Sequence, residues 1–334
     1  GTPWYGMEHV DGADLSGLKG QLDWSAQRDL LLSLLRALAH AHARGLVHRD
    51  IKPGNLLWNG KPGELKLVDF GLSHLLGRDR ADHDELLVGT PVYMAPEQFR
   101  EAFWALGPWT DLYAFGCVAW ALATGGAPYS GEGTFERFRQ AHLLAPLPPF
   151  RPSNPVPPAL FDFLARLLAK RPDDRFQRAA DAMFVLEGLE TAVVDPVGFD
   201  PIQLPTPVTW RLVRNERPRP RALGLGLAGL RTLPLVGREQ ERRVLWDALT
   251  RVRAQGKPEV VLLEGPAGVG KTRLARWLGE RADELGLATV VQATHSPGPA
   301  ARSGLGGLVS RFLRLGGLSR LDVERALEER LGAL

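Results

Sequence analysis

The stretch His48-Arg49-Asp50-Ile51-Lys52-Pro53-Gly54-Asn55 places a carboxylate, a cation and a carboxamide within a few positions of one another. After the next apolar run, Asp69-Phe70-Gly71 adds a second carboxylate. Moving a phosphoryl group needs few parts. These are a carboxylate to take the acceptor hydroxyl's proton, a cation near the transferred group, and oxygen ligands for Mg²⁺. Asp50 can be the first, Lys52 the second, and Asn55 with Asp69 the third.

A second stretch suits phosphate in a different way. Gly265-Pro266-Ala267-Gly268-Val269-Gly270-Lys271-Thr272 fits the spacing G-x-x-x-x-G-K-[ST]. It follows the apolar run Val260 to Leu263 and opens a helical pattern. Backbone N–H groups of such a loop, with a helix N-terminus behind them, can cradle phosphates. Gly265, Gly268 and Gly270 shape the loop. Lys271 would reach the β/γ-phosphates, and Thr272 would be a ligand of Mg²⁺.

The elements that must position these groups are legible in the apolar spacing. Gln27 to Arg44 carries Leu30, Leu31, Leu34, Leu35 and Leu38 at helical intervals. Leu112 to Thr124 is apolar nearly all round, which predicts a buried helix. Leu160 to Lys170 and Ala179 to Leu189 read as amphipathic helices. Leu56 to Trp58 and Leu65 to Val68 read as strands around a turn at 59–63. Six prolines between Pro196 and Pro220, then a Gly/Leu stretch at 223–230, predict a linker over 191–233. From Leu235 onward the expected order is a helix at Glu239–Arg253, a strand at Val260–Leu263, the Gly-rich turn, a helix at Lys271–Leu285 and a strand at Ala288–Gln292. That order suits a parallel α/β domain.

Taken jointly, H-R-D-x-K-x-x-N at 48–55, D-F-G at 69–71 and Ala95-Pro96-Glu97 resemble the protein-kinase signature in its usual order. The resemblance covers about residues 1–190, the hinge and the large helical lobe. It implies roles residue by residue. Met7-Glu8-His9-Val10 would be gatekeeper and hinge, with backbone groups of Glu8 and Val10 holding adenine. Leu57 would floor the adenine pocket. Asp111 would brace the catalytic loop, Arg175 would pair with Glu97, and His48 would pack and position rather than act as base. Lys52, with Thr90 as its usual partner, is the serine/threonine pattern. No Ser, Thr or Tyr lies between His74 and Val88. Asp82, Asp84 and Glu85 are therefore expected either to stand in for a phosphate against Arg49 or to form a plain solvated loop. No Gly-rich loop, strand lysine or helix glutamate precedes Met7. This chain alone is therefore expected to lack kinase activity, and the parent protein to have it.

Leu235-Val236-Gly237-Arg238-Glu239 resembles the opening box of AAA-like regulatory ATPases. That resemblance covers about 234–334. No apolar strand ending in an acid follows, because Asp322 and Glu324 lie in a helical pattern. Nucleotide binding is therefore better supported than hydrolysis. Together the resemblances imply an α+β protein-kinase-like fold, mainly the helical C-lobe, followed by the start of an α/β P-loop NTPase domain. The implied segments are 1–190 (kinase), 191–233 (linker) and 234–334 (AAA-like). The implied activity is ATP- and Mg²⁺-dependent phosphorylation of Ser or Thr on a protein, in bacterial signalling. The alternative is a pseudokinase scaffold whose output the P-loop module carries.

Composition narrows the classes further. The chain has 334 residues, 44% hydrophobic and 24% charged, with a net charge of +3. These values suit a folded protein of about two domains. A single Cys117 excludes an internal disulfide framework and a Cys-rich zinc site. Arg outnumbers Lys 34 to 7, which reads as genomic composition bias. The Arg-rich segment 211–221 lacks aromatic interleaving beyond Trp210, so no nucleic-acid partner is expected. No apolar run reaches the ~18–20 residues of a membrane span, and no signal peptide is visible. A cytoplasmic location is therefore expected.

Overall fold

The structure, a computed structural model, describes residues 12–61, 64–69, 91–100, 106–131, 133–189, 235 and 237–293, with residues 304, 308, 323 and 324. The chain divides into two compact units, one of residues 1–192 with 282–334 and one of 193–281.

In the first unit, strands β1 (Ala13–Asp14), β2 (Leu56–Trp58) and β3 (Lys66–Leu67) form one antiparallel sheet in that order. Its register pairs Asp14 with Leu57, and Leu57 with Lys66. Helix α1 spans Trp24–Ala43. Asp23 starts it by accepting the Ala26 N–H at 2.8 Å, an N-cap that satisfies one orphan donor. Its leucines 30, 31, 34, 35 and 38 are all buried, so the stripe predicted from spacing faces the core.

Helix α2 is one turn, Pro96–Phe99, and α3 runs Pro108–Thr124. Proline opens α3 where its missing N–H costs nothing. Gly125, at φ 89°, closes it in the left-handed region that side-chain-bearing residues avoid. Nearly every residue of α3 is buried, as its all-round apolar sequence predicts. A Cβ on Gly116 would come within 2.9 Å of the Leu167 Cβ. This glycine therefore lets α3 lie close against α5 (Leu160–Leu167). Helix α6 (Ala179–Gly188) packs on α1.

Helix α4 (Phe135–Leu144) was not evident from the sequence. Its segment is polar, and within it only Phe138 and His142 are buried. Thr134 caps it by accepting the Arg137 N–H at 3.3 Å. Lys170 Nζ fastens its far end, donating to the carbonyls of Ala141 (3.1 Å) and His142 (2.9 Å) and to the Tyr129 hydroxyl (2.9 Å).

The segment after residue 234 contains α7 (Glu239–Gln255) and α8 (Lys271–Glu284), close to their expected bounds. The two expected strands are not there. Val260–Leu263 and Ala288–Gln292 carry no ladder among the described residues, and Val260 is 95% exposed. An extended apolar run becomes a strand only when a neighbour takes up its N–H and C=O groups. One boundary between the compact units falls inside α8. No helix among the described residues is long and apolar enough to cross a membrane.

His142 links α3 to α4, with its Nδ1 2.8 Å from the Tyr113 hydroxyl. Burial, then the nearby Lys170 ammonium, pulls its pKa from 6.5 down to about 3. The folded value lies below the unfolded one, so the unfolded chain binds more protons between them. Stability is therefore fully present above about pH 6.5 and falls as pH drops towards 3. His142→Phe is expected to lower stability at neutral pH, because Tyr113 loses its partner, yet to flatten the acid slope. Chemical denaturation of the full chain at a series of pH values checks this, and an unchanged slope would contradict it.

Candidate functional site

The loop carrying Asp50 is held from beneath by Asp111, in the first turn of α3. The Asp111 carboxylate is buried. Its Oδ2 accepts the His48 N–H at 2.8 Å, and its Oδ1 accepts the Arg49 N–H at 2.7 Å. His42 Nε2, in the last turn of α1, lies 2.8 Å from Oδ2. This is the brace that the resemblance implies, but His42 as a third support was not read from the sequence. No signal could have found it, since α1 and α3 are brought together only by packing.

His48 is fully buried. Its Nε2 lies 2.9 Å from the Val68 carbonyl, and its Nδ1 lies 3.3 Å from the Asp50 N–H. The carbonyl requires a donor and the amide an acceptor. The imidazole is therefore neutral with its proton on Nε2. It ties the loop to the segment that ends in Asp69 and has no nitrogen left for catalysis, in keeping with a positioning role.

Asp50, Lys52 and Asn55 meet. Lys52 Nζ donates to Asp50 Oδ2 at 2.8 Å. Asn55 Nδ2 donates to the Asp50 backbone carbonyl at 2.8 Å and to Oδ2 at 3.1 Å. One carboxylate oxygen of Asp50 is thus fixed by two donors, which orients the other. Val68 N–H donates to the Asn55 carbonyl at 3.0 Å. Asp69 follows Val68 directly, so this bond ties the end of the segment that carries it to the loop. Asp69 is exposed and left-handed, at φ 59°. Leu57, half-buried on β2, alternates with the fully buried Leu56 and so lies on the opposite face of the sheet.

No group of three or more His, Cys, Asp or Glu that could hold a metal exists among the described residues. The donors here are a carboxamide and a carboxylate. Both are hard oxygen ligands, the kind Mg²⁺ takes one or two at a time while substrate phosphates and waters supply the rest. The donor set therefore fits that ion.

A second buried pair sits alongside. Arg175 binds Glu97 through two parallel bonds of 2.9 and 3.0 Å. It also donates to the carbonyls of Ala169 (2.7 Å) and Lys170 (3.1 Å) and stacks over Tyr113. Thr110 donates to Glu97 Oε1 at 2.8 Å. Both partners named in the sequence are thus brought together.

In the Gly-rich loop, Gly268 and Gly270 have φ of 78° and 94°, conformations open to glycine at no steric cost. Gly265 begins the loop. Lys271 Nζ donates to the carbonyls of Gly265 (2.7 Å) and Pro266 (2.8 Å), so the ammonium folds over its own loop. Thr272 is exposed in the first turn of α8. Arg238, at φ 60°, donates to the Val269 carbonyl. Met7, Glu8, His9, Val10, Phe70, Gly71, Asp82, Asp84, Glu85, Thr90 and Asp322 lie outside the described residues, as does the linker expected at 191–233.

Comparison with known proteins gives two family matches. The protein kinase domain matches residues 4–184, and the AAA ATPase domain matches residues 234–330. The chain is 40% identical over 186 residues to serine/threonine-protein kinase Pkn1 of Myxococcus xanthus, covering 53% of this chain and 26% of that protein. It is 30% identical over 271 residues to serine/threonine-protein kinase PknA of Mycobacterium tuberculosis, covering 74% and 59%. It is 30% identical over 283 residues to serine/threonine-protein kinase PknK of Mycobacterium bovis, covering 80% and 25%. The chain thus spans between a quarter and three-fifths of the length of these curated relatives.

Asp111→Asn keeps the side chain's size but turns an NH₂ towards one of the two amides it should accept. The variant is expected to lose about 1–3 kcal/mol of stability, the cost of leaving buried partners unmatched. Denaturant titration of the full chain reads this, and a loss near zero would show the brace to be dispensable.

Proposed function

Since the chain belongs to the protein kinase family, we propose that it supplies the catalytic loop of a kinase that transfers the γ-phosphoryl group of ATP to Ser or Thr on a protein. The observation that carries this reading is the fixed trio of Asp50, Lys52 and Asn55. Lys52 and Asn55 both hold Asp50 Oδ2. The other oxygen, Oδ1, is then turned to accept the proton of an incoming hydroxyl. Lys52, half-buried beside that carboxylate, brings its positive charge to where the transferred group's oxygens gather negative charge. Asn55 and Asp69 would be the oxygen donors for Mg²⁺. When bound, Mg²⁺ neutralises charge on the β- and γ-phosphates. Leu57, on the open face of β2, would lie under the adenine, with Met7, Glu8 and Val10 completing that pocket. The described residues between 12 and 189, with helices α1 to α6, correspond on this reading to the large lobe of the kinase domain.

The segment over 234–334 is a second nucleotide module, supported by the AAA ATPase match and by the loop's form. Gly265, Gly268, Gly270, Lys271 and Thr272 would hold ATP and its Mg²⁺. The segment at 191–233 would link the two modules. A regulatory role in bacterial signal transduction follows from joining the two and is part of the same proposal. The names of the relatives support the choice of Ser/Thr.

Two variants of the intact protein test this. Asp50→Asn is expected to lower phosphotransfer to protein by about 10²–10⁴-fold, the usual worth of a positioned base, while ATP still binds. Retained transfer would refute Asp50 as base. Lys271→Ala is expected to abolish nucleotide binding at the second module, read with a fluorescent ATP analogue on the Asp50→Asn background. Unchanged stoichiometry would refute that site.

A further inference from the structure

Arg49 adopts the left-handed conformation, φ 69°, one residue before Asp50. For a residue with a Cβ this conformation costs free energy, on the order of 1–2 kcal/mol. It persists only where the surroundings over-determine it. The Arg49–Asp50 peptide sets where the Asp50 side chain leaves the backbone. What holds that peptide therefore matters to the chemistry proposed above.

Asp111 holds the Arg49 N–H on the near side of the strained residue, and the peptide's own N–H, that of Asp50, lies 3.3 Å from His48 Nδ1. The peptide's carbonyl is held by a residue the motif does not name. Gln98 Nε2, in α2, donates to the Arg49 carbonyl at 2.9 Å. The other end of the same carboxamide is used too, since Oε1 accepts the Ala95 N–H at 2.8 Å. The amide cannot rotate without breaking one bond or facing like against like. Its anchor is firm. Ala95 is fully buried, and the neighbouring Glu97 is locked by Arg175 and Thr110.

We propose that Gln98 is a positioning residue that fixes the Arg49 carbonyl and thereby aims Asp50. This rests on the kinase reading. It does not touch ATP or the acceptor hydroxyl. Its carboxamide joins the turn after Ala95-Pro96-Glu97 to the loop before the base, across 49 positions of sequence. Only a group that is donor at one end and acceptor at the other does both tasks. Gln98→Glu keeps the bond to Ala95 but turns an acceptor on an acceptor at Arg49. Gln98→Met keeps the length and packing and removes both bonds.

The test uses the intact protein and two readings. Hydrogen–deuterium exchange is followed for peptides covering 47–51, α1 and α3. In Gln98→Met the 47–51 peptide is expected to exchange about three- to tenfold faster, the worth of one net hydrogen bond, with α1 and α3 unchanged. Steady-state kinetics should show kcat lowered about tenfold or more, as expected of a misaimed group, with KM for ATP within about twofold. Gln98→Glu should behave as Gln98→Met does. Unchanged exchange at 47–51 overturns the proposal, as does faster exchange with unaltered kcat. A parent protein with no phosphotransfer defeats the kinase reading and with it the aiming of a base, while the exchange arm alone reports whether Gln98 holds the loop.

Discussion

A single buried carboxylate fixes the backbone of the loop that carries Asp50. Asp111 lies in the first turn of α3, 1% exposed. An ionised carboxylate there would be costly unless its lone pairs were used. They are used, by the amides of His48 and Arg49 and by the ring of His42. The helix N-terminus behind it adds favourable positive potential. Because α3 is encased on nearly every side, the carboxylate cannot move without the core moving. The loop therefore takes its rigidity from the packed core, which Ile51 also joins, and a strained residue such as Arg49 can be kept.

The same turn of α3 secures a second structure. Thr110, next to Asp111, donates to Glu97, and Glu97 is gripped by Arg175. One helical turn thus registers both the loop before Asp50 and the turn after Ala95. Breaking either pair leaves a buried charge or polar group exposed to low dielectric, typically far costlier than exchanging both partners for apolar ones. The charged pairs give placement more than they give stability. The leucines of α1 and the apolar circumference of α3 supply the burial that offsets the chain's lost entropy.

How much of this the sequence made legible depends on how local each cause is. Helices α1 and α3 follow from apolar spacing, an Asp cap and a terminal glycine, all within their own segments. The trio Asp50, Lys52 and Asn55 is legible because a few residues of loop carry it. Helix α4 is not, since it buries only Phe138 and His142 and is fixed by Lys170, distant in sequence. His42 and Gln98 are equally hidden. Each acts through a contact 69 or 49 positions away that only tertiary packing creates. The strand expected at Val260–Leu263 errs for the opposite reason. The apolar run is local, but being a strand depends on a partner, and none lies beside it among the described residues.

The two phosphate-oriented motifs differ in the same way. Around 265–272 the form comes from the backbone: left-handed glycines turn the chain, and Lys271 is satisfied by carbonyls five and six residues back. Those are neutral acceptors. Phosphate oxygens carry charge and form bonds roughly twice as strong, so a polyphosphate can take the ammonium from its loop without any distant rearrangement. Around 48–69 the form comes from side chains anchored in α1, α2 and α3. There the motif residues are only the visible end of a network, and a change far along the chain reaches Asp50 through Asp111 or through the carbonyl of Arg49. The first motif therefore takes its shape mainly from its own backbone, with Arg238 as one distant support, and the second is as exact as the core that carries it.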